Sequence, residues 1–251
     1  MKIQRYGWVR DLPDHRDFIY SVPLATLQAL PPSVDLRPHC PPVYDQGHLG
    51  SCTANAIAGA LQFDEIKQKK NGHSIPSRLF IYYNERVIEG TVKSDSGAQL
   101  RDGVKAVVKQ GICAESVWPY NTSKFAVKPP TLAYKDAAED KATHYLRLTQ
   151  LANQLKGCLA SGYPFVFGFT VYESFEGPDV AKTGNVPMPS PSEAVLGGHA
   201  VCAVGYDDAQ QRFIVRNSWG PGWGMKGYCA MPYTYLLDPH LASDFWTIRT
   251  V

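Results

Sequence analysis

Four residues of this chain have side chains that could together hydrolyse an acyl bond. Cys52 lies six residues after Gln46, and His199 and Asn217 follow far downstream. A thiol, an imidazole and a side-chain amide in this order are typical of a cysteine hydrolase. They would serve as the nucleophile, the general base and the group that orients the base.

The expected chemistry depends on the position of Cys52 at the start of a predicted helix. A helix N-terminus carries partial positive charge, which favours a thiolate, and a neighbouring imidazolium favours it further. We therefore expect the pKa of the Cys52 thiol to be depressed. The thiolate would attack a peptide carbonyl. His199 would protonate the leaving amine and then activate water. Asn217 would accept a hydrogen bond from the second imidazole nitrogen, and Trp219 would cover that bond.

Gln46 is predicted to stabilise the oxyanion. Its side-chain amide and the backbone N–H of Cys52 would donate to the developing charge. Gly47 and Gly50 would let the loop bend closely around the site.

Each signal also has a structural explanation. A lone cysteine at a helix start is more often buried and inert, a lone histidine beside a strand is more often structural, and Asn-Ser-Trp is usually only a turn. The combination favours a catalytic site. The remaining histidines have no motif around them and are interpreted as incidental: His15, His39, His48, His73, His144 and His240.

The periodicity of the first half predicts three helices. They are expected over Cys52–Lys70 with Gly72 as C-cap, over Ser77–Ile88 and over Gln99–Gln110, and helices should dominate up to about residue 115. Residues 1–33 should be loop-like.

The second half is rich in β-branched and aromatic residues and predicts six strands. One helix, roughly Leu148–Ala160, should interrupt them, and Gly177–Ser192 should form a long loop. The fold class is therefore α+β, with the cleft between a helical lobe and a β-rich lobe. The predicted strands are Thr143–Gln150, Pro164–Val171, His199–Tyr206, Arg212–Asn217, Gly227–Met231 and Phe245–Arg249.

The composition narrows the possible partners. The chain has 251 residues, 44% of them hydrophobic, and a net charge of +2, so neither nucleic acid nor a membrane is expected as partner, and we expect a monomer. The N-terminus shows no signal peptide, which leaves the localisation open. Six cysteines without zinc-ligand spacing suggest a mostly reduced protein with no metal or cofactor, in which Cys202 and Cys229 are small buried hydrophobes.

These motifs resemble the papain family of cysteine peptidases over about residues 31–250. The likeness lies in 32–37, 46–52, 111–120, 198–201 and 217–220. It implies a papain-like two-lobed fold, with a helical left lobe roughly 40–135, a β-barrel-like right lobe roughly 136–240 and chain ends that cross over. It also implies that the pocket for the residue two before the scissile bond involves Gly97, Ala98, Gly168, Gly197 and Ser243, and is roomy and mainly apolar. Trp219, the expected shield, is also counted among the substrate-binding residues.

The chain departs from the usual family pattern at several positions. Leu49 replaces a cysteine three residues before the nucleophile, so the usual disulfide cannot form there, and Thr53 replaces a tryptophan. Residues 94–98 stand where a cysteine- and glycine-rich loop is common, and Gly198 replaces an acidic or polar residue. The pattern resembles a bacterial, xylellain-like branch of the family.

Residues 1–30 precede the papain-like body 31–251 and lack a long helical prodomain. Dense charge between Arg10 and Asp17, with Trp8 and Phe18 as apolar anchors, suggests an arm that covers the cleft. The alternative is an arm that packs on the back of the body.

The predicted activity is that of an endopeptidase that favours an apolar residue two before the cut. An exopeptidase or an acyl transferase of the same chemistry and a non-catalytic binding or inhibitory module are the alternatives.

Overall fold

A computed structural model describes residues 6–68 and 74–250 of the chain. The helices are α1 (Leu24–Gln28), α2 (Cys52–Lys67), α3 (Arg78–Glu89), α4 (Leu100–Gln110), α5 (Thr131–Glu139), α6 (Ala152–Ala160), α7 (Pro178–Thr183) and α8 (Tyr233–Leu237). The strands are β1 (Trp8–Val9), β2 (Ser33–Asp35), β3 (Ala98–Gln99), β4 (Ala142–Arg147), β5 (Phe165–Tyr172), β6 (Val195–Asp207), β7 (Arg212–Arg216), β8 (Tyr228–Pro232) and β9 (Ala242–Thr250).

Helix α2 is the buried centre of the helical half. All its residues from Cys52 to Glu65 are buried. Small side chains let neighbouring elements approach closely, and a Cβ added at Gly59 would lie 3.1 Å from Nε of Arg216. The helix is therefore surrounded by protein along this whole stretch, and it carries Cys52 at its buried N-terminal end.

Helices α3 and α4 pack against α2 and have clear boundaries. Ser77 Oγ accepts the Phe80 N–H at 3.2 Å and caps α3. Gly90, with φ +72°, ends it in the left-handed region. Gly111 ends α4 as the sequence predicts.

A seven-stranded sheet forms the other half of the molecule. The order β4-β9-β5-β6-β7-β8 is antiparallel at every described pairing, and β2 also pairs with β6. The last described strand, β9, lies between β4 and β5. One face packs on a core of phenylalanine, tyrosine and leucine side chains, and the other contributes Val166, Ala200 and Trp246 to the helical core. The division into two lobes with these bounds remains a proposal.

Several predicted boundaries are wrong. Gly177–Ser192 is not only loop, because α7 begins directly at Pro178, a residue suited to the first turn of a helix. Residues 6–33 contain β1 and α1, and helices do not stop at residue 115, since α5 follows at 131–139. Residues 148–151 are not helical, and Leu148 N–H donates to the Phe245 carbonyl instead. The predicted end of α2 at Lys70 and its cap at Gly72 lie outside the described residues.

Candidate active site

Cys52 is the first residue of α2, as the sequence predicts, and its side chain is fully buried. The backbone N–H groups of Ala200, Gly7 and Thr53 face its sulfur. Ala200 follows His199 on β6, so the thiol and the imidazole come from opposite halves of the molecule to one place. Gly7 belongs to the N-terminal segment, which therefore also reaches the thiol.

The pKa of the Cys52 thiol is not depressed in this state. Burial raises it to about 12, and the three amides offset only part of that effect. The prediction of a thiolate is therefore wrong for the described state, because removing water from a thiolate costs more than the helix N-terminus returns.

His199 and Asn217 form the predicted hydrogen bond. His199 Nε2 lies 2.8 Å from Asn217 Oδ1. The backbone N–H of Ser218 donates to the same Oδ1, also at 2.8 Å, which identifies that atom as the oxygen. Nε2 must therefore carry the proton, and Nδ1 is left as the basic nitrogen. Among the residues that the structure describes, no group forms a hydrogen bond with Nδ1.

Aromatic rings enclose the imidazole. The Trp219 ring centroid lies 5.0 Å from that of His199, and Phe169 and Tyr6 lie at 5.7 and 6.2 Å. Trp219 thus takes the covering position that the sequence suggests. Burial lowers the pKa of His199 to about 4, and the bond to Asn217 opposes this shift. The imidazole is neutral in this state at physiological pH.

The Gln46 side chain is buried and held at both ends. Its Oε1 accepts the Ser218 hydroxyl at 2.7 Å, and its Nε2 donates to the Leu49 carbonyl at 3.0 Å. An amide nitrogen has two donors, so one N–H is left for a further acceptor. Ser218 was overlooked in the sequence, where it could be identified only as a member of the Asn-Ser-Trp run.

The N-terminal segment occupies the surface predicted to bind substrate. β1 pairs in parallel with β3, and the Ala98 N–H donates to the Gly7 carbonyl at 2.7 Å. A Cβ added at Gly97 would lie 2.1 Å from that carbonyl oxygen, and one added at Gly197 would lie 2.7 Å from the Tyr6 ring. The segment therefore runs between the two halves and beside the thiol.

The Trp8 indole fills the predicted pocket. A Cβ added at Gly168 would lie 1.9 Å from Trp8 Cε2. Ser243 lies opposite Gly168 on β9. The pocket is less apolar than predicted, since Trp8 Nε1 donates to Asp244 Oδ2 at 3.2 Å. Asp244 was not singled out in the sequence because its exposure to the pocket depends on how β9 is placed.

The rest of the N-terminal segment is held by charged groups. Asp11 is buried, accepts from the Arg101 backbone and the Trp246 indole, and donates its own N–H to Asp244 at 2.8 Å. Arg101 pairs with Asp17 at 2.6 Å. Phe18 is not an anchor, because its side chain is 74% exposed.

No helix within residues 6–68 and 74–250 is long and apolar enough to cross a membrane. Over the same ranges, no group of three or more histidine, cysteine or acidic residues is arranged to hold a metal ion. All six cysteines are free, and Cys202 and Cys229 are buried as predicted.

The sequence comparisons agree with these features. The family model of papain family cysteine proteases matches residues 30–236. An uncharacterized peptidase C1-like protein of Acanthamoeba polyphaga mimivirus is 45% identical, over 99% of this chain and 88% of its own length. A cathepsin B-like protein of Giardia intestinalis is 30% identical, over 83% of this chain and 72% of its own.

Solved structures show the same fold. Xylellain, a cysteine protease from Xylella fastidiosa, superposes with a TM-score of 0.94 at 47% identity and covers 100% of this chain and 99% of its own. Procathepsin B from Trypanosoma congolense has a TM-score of 0.76 at 18% identity, over 99% of this chain and 87% of its own, and supports the fold alone. A helical half joined to an antiparallel sheet is thus shared with known proteases. The chain belongs to the papain family of cysteine proteases.

Proposed function

We propose that this cysteine peptidase is an endopeptidase in which Cys52 is the nucleophile and His199 the general base. One observation carries the proposal: an extended segment of the chain itself, with its Gly7 carbonyl bonded to Ala98 N–H, runs through the cleft past the Cys52 thiol. A cleft that accepts a continuous backbone on both sides of the thiol suits cleavage within a chain.

In the proposed reaction, Cys52 Sγ attacks the carbonyl carbon while its proton passes to His199 Nδ1. The C–N bond then breaks as Nδ1–H protonates the leaving amine, which leaves a thioester. Water, deprotonated by His199, attacks the thioester and releases the acid. The free N–H of Gln46 and the Cys52 backbone N–H would donate to the oxyanion of both tetrahedral intermediates.

The proposed subsite preference rests on the Trp8 indole. It lies against Gly168 and Gly198, which leave space because they have no Cβ. We therefore propose that a substrate places a large apolar or aromatic side chain there, two residues before the cut. Asp244 would favour rings that also carry a donor.

We also propose that residues 6–11 block the cleft in the full chain. Gly7 and Trp8 occupy the backbone and side-chain positions that the proposed substrate would need, and Cys52 and His199 are both fully buried. Some proteins of similar fold are known as precursor forms, procathepsins among them.

The decisive experiment compares peptides with blocked and free termini in the full chain carrying Trp8→Ala, which would loosen the block. If peptides blocked at both ends are cleaved as fast as peptides with free ends, the enzyme is an endopeptidase. Cleavage only of peptides with a free N-terminus or a free C-terminus would indicate an exopeptidase. Cys52→Ala in the same background should abolish turnover with an unchanged unfolding temperature. Retained turnover would rule out Cys52 as the nucleophile.

A further inference from the structure

The loop that carries the nucleophile is joined to the edge of the cleft by one carboxylate. Asp95 Oδ1 and Oδ2 accept the Gly50 N–H at 3.0 and 3.2 Å. Gly50 lies two residues before Cys52, in the loop that also contains Gln46. Gly50 therefore lies in the segment that connects the two groups predicted to form the oxyanion site.

The second half of this connection passes through a buried tyrosine. The Tyr82 hydroxyl donates to Asp95 Oδ1 at 2.5 Å and accepts the Gly97 N–H at 3.2 Å. Tyr82 lies on α3 with no exposed surface. Gly97 precedes Ala98, whose N–H bonds the Gly7 carbonyl in the cleft. The chain of bonds thus runs from Gly50 to Asp95, to Tyr82, to Gly97.

The space around these bonds is tightly filled. A Cβ added at Gly50 would lie 3.0 Å from Asp95 Oδ1 and 3.5 Å from Gly7 Cα. A side chain at position 50 would therefore push on the carboxylate and on the bound segment together.

We propose that Asp95, oriented by Tyr82, is a positioning residue that sets the distance between the nucleophile loop (residues 46–52) and the cleft edge (residues 97–99). It touches no reacting atom. It acts by holding the donors of the oxyanion site and the Ala98 N–H in one rigid frame, so that a substrate bound by the edge presents its carbonyl to the thiol. Charge-assisted hydrogen bonds to a carboxylate are strong enough for this function.

The inference rests on the proposed function, so its test uses the full chain carrying Trp8→Ala as the parent enzyme. Asp95→Ala in this parent should lower kcat/KM for a blocked fluorogenic peptide by about tenfold or more, since a misplacement of 1 Å can cost about a hundredfold. KM should rise because the cleft edge moves, and kcat should fall because the oxyanion donors move. Asp179→Asn, an exposed aspartate on α7, is the control and should leave both unchanged.

A small alkylating agent separates positioning from general damage. Iodoacetamide needs neither the cleft edge nor the oxyanion donors, so its rate at Cys52 should change less than threefold in Asp95→Ala. Tyr82→Phe should produce a smaller loss of the same kind, and the double variant should resemble Asp95→Ala because Tyr82 acts through Asp95. A kcat/KM within twofold of the parent, an equal loss of alkylation, or losses that multiply would each overturn the inference.

Hydrogen exchange tests the connection even if the Asp95→Ala variant does not fold or the parent enzyme is inactive. If Asp95→Ala does not fold, Asp95→Asn keeps the shape but removes the charge and one of the two oxygens that accept the Gly50 N–H. It should therefore accelerate hydrogen exchange at the Gly50 and Gly97 amides in the full chain. Unchanged exchange at both amides would overturn the proposed connection. A parent without peptidase activity would instead contradict the proposed function, while the exchange experiment would still test Asp95.

Discussion

At the scale of single residues, the structure holds the Cys52 thiol and the His199 imidazole in their neutral forms. Burial raises the pKa of Cys52 to about 12 and lowers that of His199 to about 4. Hydrolysis needs the opposite arrangement, a thiolate beside an imidazolium. Because the N-terminal segment contributes to the burial of both side chains, its departure would change their protonation without any change in their own elements.

The first prediction concerns the pH at which Cys52 reacts. Burial raises the thiol pKa, so the protonated thiol stabilises the docked segment below the ordinary pKa of 9.0, and this stability is lost as the pH rises through about 12. We expect slow iodoacetamide labelling of Cys52 in the full chain at pH 7. Trp8→Ala should shift the labelling midpoint to lower pH, as measured by mass spectrometry of the labelled peptide.

The control is Cys52→Ser, made in the full chain and in its Trp8→Ala variant. Any label found in these controls lies on one of the five other cysteines. Equal midpoints for the full chain and its Trp8→Ala variant would contradict the protective effect of the segment.

The second prediction concerns Asn217. Its Oδ1 accepts the Nε2 proton of His199 and opposes the lowering of the imidazole pKa. In the Trp8→Ala chain, Asn217→Ala should lower kcat roughly tenfold to a hundredfold, part of the general-base contribution. The acid limb of kcat/KM should move to lower pH, because the removed bond favours the protonated ring. A pH–rate profile measures both effects.

Asn185→Ala, an exposed asparagine after α7, is the matched control. An acid limb that moves to higher pH in Asn217→Ala would contradict this account of the His199–Asn217 bond.

At the scale of elements, the N-terminal segment is built to fit the cleft. A Cβ added at Gly7 would lie 1.7 Å from the Gly50 carbonyl oxygen, and one added at Gly97 would lie 2.1 Å from the Gly7 carbonyl oxygen. Position 7 therefore has room only for a glycine. Burial and the nearby Asp244 raise the pKa of Asp11 to about 7. The contribution of Asp11 to docking is complete below its ordinary pKa of 3.8 and is lost as the pH rises through about 7. The contribution of His199 to docking has the opposite pH dependence. Because its pKa is lowered to about 4, this contribution is complete above the ordinary pKa of 6.5 and is lost as the pH falls through about 4.

The third prediction is that Gly7→Ala activates the full chain. The added methyl group cannot fit against Gly50, and a loss of only about 1.4 kcal/mol in docking free energy raises the open fraction tenfold. We expect kcat/KM for a fluorogenic peptide to rise about tenfold or more. Gly222→Ala is the control, because a Cβ there would meet nothing within 4 Å. Unchanged activity in Gly7→Ala, with the fold intact, would contradict the block.

At the scale of the whole molecule, Arg216 joins the sheet to the segment that leads into the nucleophile loop. It is 4% exposed and donates from Nη1 to the Pro41 carbonyl at 2.7 Å and from Nη2 to the Pro42 carbonyl at 2.6 Å. Its guanidinium also lies 4.9 Å from the Tyr44 ring centroid and against Gly59 of α2. One side chain of β7 therefore holds both the central helix and the approach to Gln46.

The fourth prediction is that Arg216→Lys lowers the free energy of unfolding by about 2 kcal/mol. A lysine cannot donate in the same fork to two carbonyls, and buried hydrogen bonds of charged groups contribute about 1.5–3 kcal/mol. Urea unfolding followed by fluorescence measures the change. Arg37→Lys is the control, because the Arg37–Asp35 pair is about 40% exposed on both sides and should contribute less than about 1 kcal/mol. Equal losses in the two variants would contradict the role of Arg216.

The amino-acid sequence by itself determined the fold class, the family and the catalytic chemistry to expect. The start of α2 at Cys52, the end of α4 at Gly111 and the approximate strands could be predicted, because hydrophobic periodicity and glycine caps are local properties of the chain. The positions of His199 and Asn217 were recognisable for a similar reason, since each has distinctive neighbours in sequence.

Only the tertiary structure decided what surrounds those residues. The thiol pKa and the position of the Trp8 indole depend on segments far apart in the chain. The same is true of the hydrogen bonds from Gly50 to Asp95, from Ser218 to Gln46 and from Trp8 to Asp244. Gly7 and Cys52 are separated by 45 positions, and Asp11 and Asp244 by 233. No local pattern encodes such distances, because burial and electrostatic shifts arise from packing between elements rather than from the order of residues within them.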